Sequence, residues 1–182
     1  MLLADSLPTI KILVIGISGA GKSSLLKRYC DHEFDPDSAT ATIGVDIKTR
    51  ALMVRGKPYR LNVFDTAGQE RLRTLSTSFY RGAQGVILAY DISNRVSFQS
   101  LEKMFEEAEA NTGPSAVLYL VGCKADRAEA EGGRAVRAEE GAELARAHGC
   151  VGFCELSAKT GENVRKPFVD LVDSVISSTL ST

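Results

Sequence analysis

Short apolar runs alternate with amphipathic segments along most of the chain. The runs fall at residues 10–15, 61–64, 86–90, 117–121 and 151–156, and segments with helical periodicity occupy 23–30, 98–110, 138–148 and 164–177. Strand-helix alternation of this kind predicts a mainly parallel sheet with helices on both faces. The runs are almost wholly apolar because such strands are covered on both sides. One interval breaks the pattern: residues 45–54 alternate loosely, pass through Arg55-Gly56-Lys57-Pro58 and lead into 59–65. That reads as a hairpin, placing one antiparallel pair at a sheet edge. Pro167 falls inside the last helical segment and is tolerable in its first turn, where no intrahelical N–H bond is due. The Ser/Thr-rich stretch 177–182 reads as a frayed tail. The expected architecture is α/β and three-layered, with a six-stranded, mostly parallel sheet and one antiparallel edge hairpin.

Composition narrows the function classes. The chain has 182 residues, enough for about one domain. Lys+Arg number 22 against 23 Asp+Glu, so there is no basic footprint for nucleic acid. Hydrophobic residues at 44% and charged residues at 25% are globular values, which argues against disorder. Each apolar run falls far short of the ~18 residues needed to cross a bilayer. The N-terminus is too brief for a signal peptide, and Leu2 stands where N-myristoylation requires glycine. Cys30, Cys123, Cys150 and Cys154 show no CxxC spacing and read as free thiols. A monomeric intracellular domain over residues 10–177 is expected, with an extension at 1–9 and the start of a tail at 178–182.

Chemistry enters with Gly16-Ile17-Ser18-Gly19-Ala20-Gly21-Lys22-Ser23, which matches GxxxxGK[ST]. The motif lies between an apolar run and a helical segment, the context that gives it meaning. Its glycines let backbone N–H groups close around a phosphate, and the helix N-terminus adds its dipole. Lys22 would reach the β/γ phosphates, and the Ser23 hydroxyl would ligate Mg²⁺. At average residue frequencies a chance match somewhere in such a chain arises roughly once in a hundred. The motif alone leaves kinase, ATPase and GTPase open.

A second signal narrows the choice. Asp65-Thr66-Ala67-Gly68-Gln69-Glu70 follows the run 61–64. An acid at the end of a strand beside a phosphate loop can hold the metal through water. Gly68 can approach a γ-phosphate with its backbone N–H, and Gln69 can position an attacking water. Taken singly, Asp65 could cap a helix and Gln69 could be plain surface; their order carries the signal.

With these motifs the chain resembles the Rab branch of the Ras-like small GTPases, from Lys11 to about Ile176. The strings that carry the likeness are GISGAGKS, Thr42-Ile43-Gly44-Val45-Asp46, DTAGQERLRTL, Phe79-Tyr80-Arg81-Gly82-Ala83 and Ser157-Ala158-Lys159. Within the Rabs, Phe34-Asp35-Pro36 and the string 81–88 look closest to the eighteen-type subgroup. The resemblance implies a P-loop fold that cycles between GTP and GDP with Mg²⁺. Thr42 is then the switch I threonine, giving its hydroxyl to the metal and its N–H to the γ-phosphate. Phe34, eleven residues after Ser23, packs across the guanine, and Lys124 lays its stem along the other face. Asp126 accepts from N1–H and the exocyclic amine, and the Ala158 N–H bonds O6. Such contacts discriminate because a wrong base leaves them unpaired. The nucleotide-binding set is Ser18, Gly19, Ala20, Gly21, Lys22, Ser23, Ser24, Phe34, Thr42, Gly68, Cys123, Lys124, Asp126, Ser157, Ala158 and Lys159. The catalytic set is Gln69, Lys22 and Thr42; the metal set is Ser23, Thr42 and, through water, Asp65.

The departures from the family pattern matter as much. Cys123-Lys124-Ala125-Asp126 stands where the family reads Asn-Lys-x-Asp. That asparagine bonds the base N7 and braces the phosphate loop, whereas a thiol is a weak donor and acceptor. Losing one or two such bonds is expected to cost roughly tenfold to thousandfold in affinity. Ser18 raises no alarm, being common at that position in Rabs. Ile47 and Phe64 replace the usual Phe and Trp of the patch between the switches, which suggests an unusual effector set. Switch I carries one extra residue around 37–40, and residues 127–137 form a longer stretch expected to be a solvated, flexible loop.

The mechanism implied is in-line attack of water on the γ-phosphate, with Gln69 orienting the water. No arginine in the phosphate loop or switch I is placed as a finger in cis, so rapid hydrolysis is expected to need a GTPase-activating protein. Effectors, the exchange factor and the activating protein are expected on the switches, about 34–48 and 64–82. Two rivals stand beside this: a pseudo-GTPase binding module, favoured by Cys123, and an ATP-using P-loop enzyme, disfavoured by Asp126 and Ser157-Ala158-Lys159. Rabs reach the cytosolic face of intracellular membranes through prenylated C-terminal cysteines, yet the last cysteine here is Cys154. A truncated tail is the favoured explanation for that missing anchor.

Overall fold

A computed structural model describes residues 7–36, 45–66 and 77–180; Thr42, Gly68, Gln69 and the extra switch I residue lie outside them. Strand β1 (Thr9–Ile15) runs into helix α1 (Lys22–Asp31), followed by the hairpin strands β2 (Val45–Val54) and β3 (Lys57–Thr66). Then come β4 (Gly85–Asp91), α2 (Arg95–Gln99), α3 (Leu101–Asn111), β5 (Val117–Cys123), α4 (Ala138–Ala147), β6 (Gly152–Glu155) and α5 (Lys166–Leu180). The six strands lie in the order β2-β3-β1-β4-β5-β6. Among the described residues only β2 and β3 pair antiparallel, so the expected edge hairpin on a parallel sheet is the observed architecture.

Period-two alternation divides the core. Ile12, Val14, Ile87, Ala89, Tyr119 and Val121 face one way, against Leu25 and Leu26 of α1 and Phe168, Leu171 and Val172 of α5. Their neighbours Leu13, Ile15, Val86, Leu88, Leu118 and Leu120 face Leu101, Met104 and Phe105 of α3 and Ala145 of α4. Successive side chains of a strand point to opposite faces, so all-apolar β4 and β5 must be covered twice, and every residue of both is buried. Each fully buried Leu, Ile or Phe contributes about 1.5–3 kcal/mol relative to exposure.

From β1 the chain passes through α1 and edge strand β2 to β3, which lies on one side of β1, and β4 lies on the other. Sequence order therefore reverses across β1, and in open α/β sheets the crevice at such a point, outside the carboxyl ends of the strands, receives the ligand.

Three local expectations need correction. The segment 98–110 is not one helix: α2 begins earlier, capped by Asn94, whose side chain accepts from the Val96 and Ser97 N–H groups. The stretch 127–137 is tied down rather than free. Ala135 and Val136 both donate to the Ile92 carbonyl, Val136 is fully buried, and Arg134 makes a two-pronged contact with Glu155 at 2.7 and 2.8 Å. The frayed tail is also wrong, since α5 runs through Leu180. The hydroxyls of Ser177, Ser178 and Thr179 bond back to the carbonyls of Asp173, Ser174 and Val175, so the helix carries these polar residues with their hydroxyls satisfied by the preceding turn. Pro167 is the second residue of α5, where its missing N–H costs nothing. No described helix is long and apolar enough to cross a membrane.

Candidate functional site

The loop from β1 to α1 turns on glycine geometry. Gly19 and Gly21 have φ of +81° and +108°, which side-chain-bearing residues rarely adopt, and Gly21 caps α1. Gly16 is required by proximity, because a Cβ there would lie 2.4 Å from the Ala89 carbonyl oxygen of β4. The loop is thereby pressed onto the sheet at the N-terminus of α1. Lys22 opens that helix and is buried, and its Nζ donates to the Gly16 and Ile17 carbonyls at 2.6 and 2.9 Å. An ammonium held over a glycine loop at a helix N-terminus suits a polyphosphate.

Ser23 and Asp65 meet from different elements. Ser23 Oγ donates to Asp65 Oδ2 at 2.5 Å, and Asp65 sits buried near the end of β3. β3 lies beside β1 in parallel register, with Asp65 opposite Val14, and this carries the carboxylate to the phosphate loop. A hydroxyl and a carboxylate converging there are the hard oxygen donors that Mg²⁺ takes.

The opposite side of the site is built where β5 and β6 end. Lys124 has φ of +65°, and its Nζ bonds the Gly19 carbonyl at 2.7 Å and Asp91 Oδ2 at 2.7 Å. Burial works to raise the Asp91 pKa. Hydrogen bonds from Lys124 and Ser93 outweigh it and hold the carboxyl below the usual aspartate value. Asp126 accepts from Ser157 Oγ at 2.6 Å, and the same hydroxyl accepts the Thr160 N–H at 3.1 Å. Ser157 is fully buried. The Ala125 N–H bonds the Leu156 carbonyl, clamping the two loops together. Phe34 is partly exposed beyond the end of α1.

Cys123 lies beneath the phosphate loop. A Cβ on Gly21 would come within 3.0 Å of Cys123 Cβ and 3.4 Å of its Sγ. Burial pushes the thiol up to about 12, so it stays neutral. The side chain that lies against the loop here is thus a group with almost no hydrogen-bonding strength. The other three cysteines are free as well.

The predicted residues of the phosphate loop, Asp65, Lys124, Asp126 and the 157–159 turn thus come together along the carboxyl edge of the sheet. Thr42, Gly68 and Gln69 fall outside the described residues. Sequence reasoning passed over two residues that the fold brings in. Asp91 pairs with Lys124, and Arg28 of α1 donates to the Ala158 carbonyl at 2.6 Å and the Lys159 carbonyl at 2.5 Å. Asp91 was visible only as an acid ending an apolar strand, and Arg28 only as a basic residue in a last helical turn.

Comparison with known proteins agrees with this geometry. The Ras family model matches residues 11–177. Ras-related protein Rab-18 of Lymnaea stagnalis is 49% identical over 173 residues, covering 94% of this chain and 83% of the relative. Ras-related protein Rab-18-B of Danio rerio is 48% identical over 173 residues, covering 94% and 82%. Ras-related protein SEC4 of Candida albicans is 43% identical over 166 residues, covering 91% and 77%. A phosphate loop, an acid at the end of β3 and the clamped 124–126 and 157–159 loops along one edge of the sheet, matched along nearly the whole chain, place this protein in the Ras family, among the Rab-type small GTPases.

Proposed function

We propose that this protein is a GTP/GDP-cycling switch of membrane trafficking whose nucleotide lies along the carboxyl edge of β1, β3, β5 and β6. The observation that carries the reading is the convergence of Lys22, the Ser23–Asp65 pair and the Asp126–Ser157 pair on that one edge. In the proposed complex Lys22 leaves the Gly16 and Ile17 carbonyls for the β/γ oxygens. Ser23, Thr42 and Asp65 are the residues that would hold Mg²⁺, Asp65 through water, and the ion would supply neutralisation of charge on the phosphate oxygens. Asp126, oriented by Ser157, reads the guanine N1–H and amine, and the Ala158 N–H reads O6. Gln69 orients the attacking water. Thr42 and Gly68 sense the γ-phosphate, and their release after hydrolysis is the order change that effectors at 34–48 and 64–82 would read. An activating protein would supply the missing arginine, an effect of ~10³–10⁵-fold in related systems. A prenylated tail would carry the protein to the cytosolic face of its membrane.

Cys123 favours a second reading within the same site. Its thiol lies under Gly21 without a strong hydrogen bond to the loop, and in this reading the protein is a pseudo-GTPase or fast-exchanging binding module with weakened nucleotide affinity. One titration separates these. Fluorescent GDP is bound with Mg²⁺ and displaced by unlabelled GDP, GTP and ATP. Tight displacement by guanine nucleotides alone is expected; absent binding would leave only the scaffold reading, and displacement by ATP would refute the base assignment.

A further inference from the structure

Arg28 sits in the last turn of α1, and its side chain leaves that helix altogether. A basic residue there ordinarily complements the helix dipole or bonds its own last carbonyls. Here Nε instead donates to the carbonyl of Ala158 and Nη2 to that of Lys159, 130 and 131 residues away in sequence. The guanidinium is a planar fork whose donors have fixed relative directions, so two successive peptide groups are held as a unit. The same turn is secured independently at its start. Ser157 Oγ bonds Asp126 at 2.6 Å, the Thr160 N–H returns to Ser157 Oγ at 3.1 Å, and the Gly161 N–H returns to the Ser157 carbonyl at 2.8 Å. The peptide between Ser157 and Ala158 lies between these two anchors. Its N–H therefore points in a direction set from both sides, by Ser157 before it and by Arg28 after it.

We propose that Arg28 is a positioning residue for base recognition: by holding the Ala158 and Lys159 carbonyls it aims the Ala158 N–H at the 6-oxo group of the purine. It also joins the helix that follows the phosphate loop to the turn that reads the base, so the two ends of the nucleotide are gripped by one framework. This rests on the reading above that the 157–159 turn contacts guanine. The conservative lysine can serve one carbonyl but has no fork with which to hold both.

The test compares GDP with 2-aminopurine riboside diphosphate, which keeps the 2-amino group and lacks both the 6-oxo group and the N1 proton. The lost N1 contact to Asp126 is common to every variant, so only the change in the ratio between variants reports on the 6-oxo contact. Dissociation constants are measured for the full chain and for Arg28→Ala and Arg28→Lys, with melting curves for each. The unaltered protein is expected to favour GDP strongly. Arg28→Ala should weaken GDP roughly tenfold to a hundredfold, the worth of one or two charged hydrogen bonds, while the weaker 2-aminopurine binding changes little. Arg28→Lys should fall between. A variant that retains the unaltered ratio of the two affinities, whether both fall together or neither moves, overturns the positioning role. If Arg28→Ala does not fold, the ratio in Arg28→Lys decides by the same criterion. If the unaltered protein binds GDP but does not prefer it, the base-site reading falls and the role of Arg28 falls with it.

Discussion

Replacing Cys123 with asparagine should slow nucleotide release. Cys123 ends β5 in register with Asp91, is 2% exposed and packs against Gly21 of the phosphate loop. With the thiol pushed up to about 12, no thiolate forms near neutral pH, and a neutral S–H contributes little as donor or acceptor. An asparagine offers two donors and an acceptor from the same Cβ. Two new hydrogen bonds at about 1 kcal/mol each amount to ~2 kcal/mol, or roughly a thirtyfold change in dissociation constant. The larger side chain also overpacks the slot at a cost of about 1–3 kcal/mol. That cost is borne with and without nucleotide, so it lowers the melting temperature and largely cancels from affinity. The assay is stopped-flow release of fluorescent GDP in excess unlabelled GDP with Mg²⁺, with Cys123→Ala as control. The Asn variant should release roughly tenfold to a hundredfold more slowly, and the Ala variant at nearly the unaltered rate. A folded Asn variant with an unchanged rate would refute the reasoning. So would an Ala variant that releases tenfold faster, because the thiol would then have been an effective bond.

Gln69→Leu should slow GTP turnover stimulated by an activating protein while leaving GDP affinity within a few-fold; unchanged stimulated turnover would remove Gln69 from the role. Asp91 has a folded pKa held below its unfolded value, so its contribution is full above about pH 4 and is lost as the pH falls through the lower, folded value. Asp91→Asn should destabilise the protein by roughly 1–3 kcal/mol at neutral pH and flatten that acid limb, as urea unfolding at stepped pH would reveal. Phe168 is fully buried and stacks on Tyr29 with ring centroids 3.8 Å apart, so Phe168→Ala should cost about 3–5 kcal/mol. A loss below 1 kcal/mol in denaturant unfolding would mean that α5 is not anchored to α1 through this contact.

Much of this protein is set by local pattern. All-apolar runs at β4 and β5 already require cover on both faces, and the break at residues 45–59 already places a hairpin. The GxxxxGK[ST] string needs only its own φ angles and the helix it opens, so the phosphate loop is legible from eight residues. Capping is local too, but the cap at Asn94 is hard to read from sequence because the signal is a single side chain competing with a stronger apolar period. The end of α5 is not legible in the sequence because serine and threonine hydroxyls can bond either water or the preceding helical turn. Which partner they choose depends on whether the turn before them is already anchored, as it is here by Arg55 on Asp173 and Ser177.

Other features exist only once distant segments meet. Val136 is buried and residues 134–136 are held because Ile92 and Glu155, far away in sequence, supply their partners. The consequence of Cys123 depends on Gly21 lying against it, 102 residues earlier in the chain. Arg28 reads as an ordinary surface base until β6 brings the 157–159 turn over the end of α1. Periodicity and motif spacing record which faces are apolar and which loops can hold a phosphate, because those follow from backbone geometry within a few residues. Hydrogen-bond partners at long range follow from the sheet order, and only the folded chain specifies them.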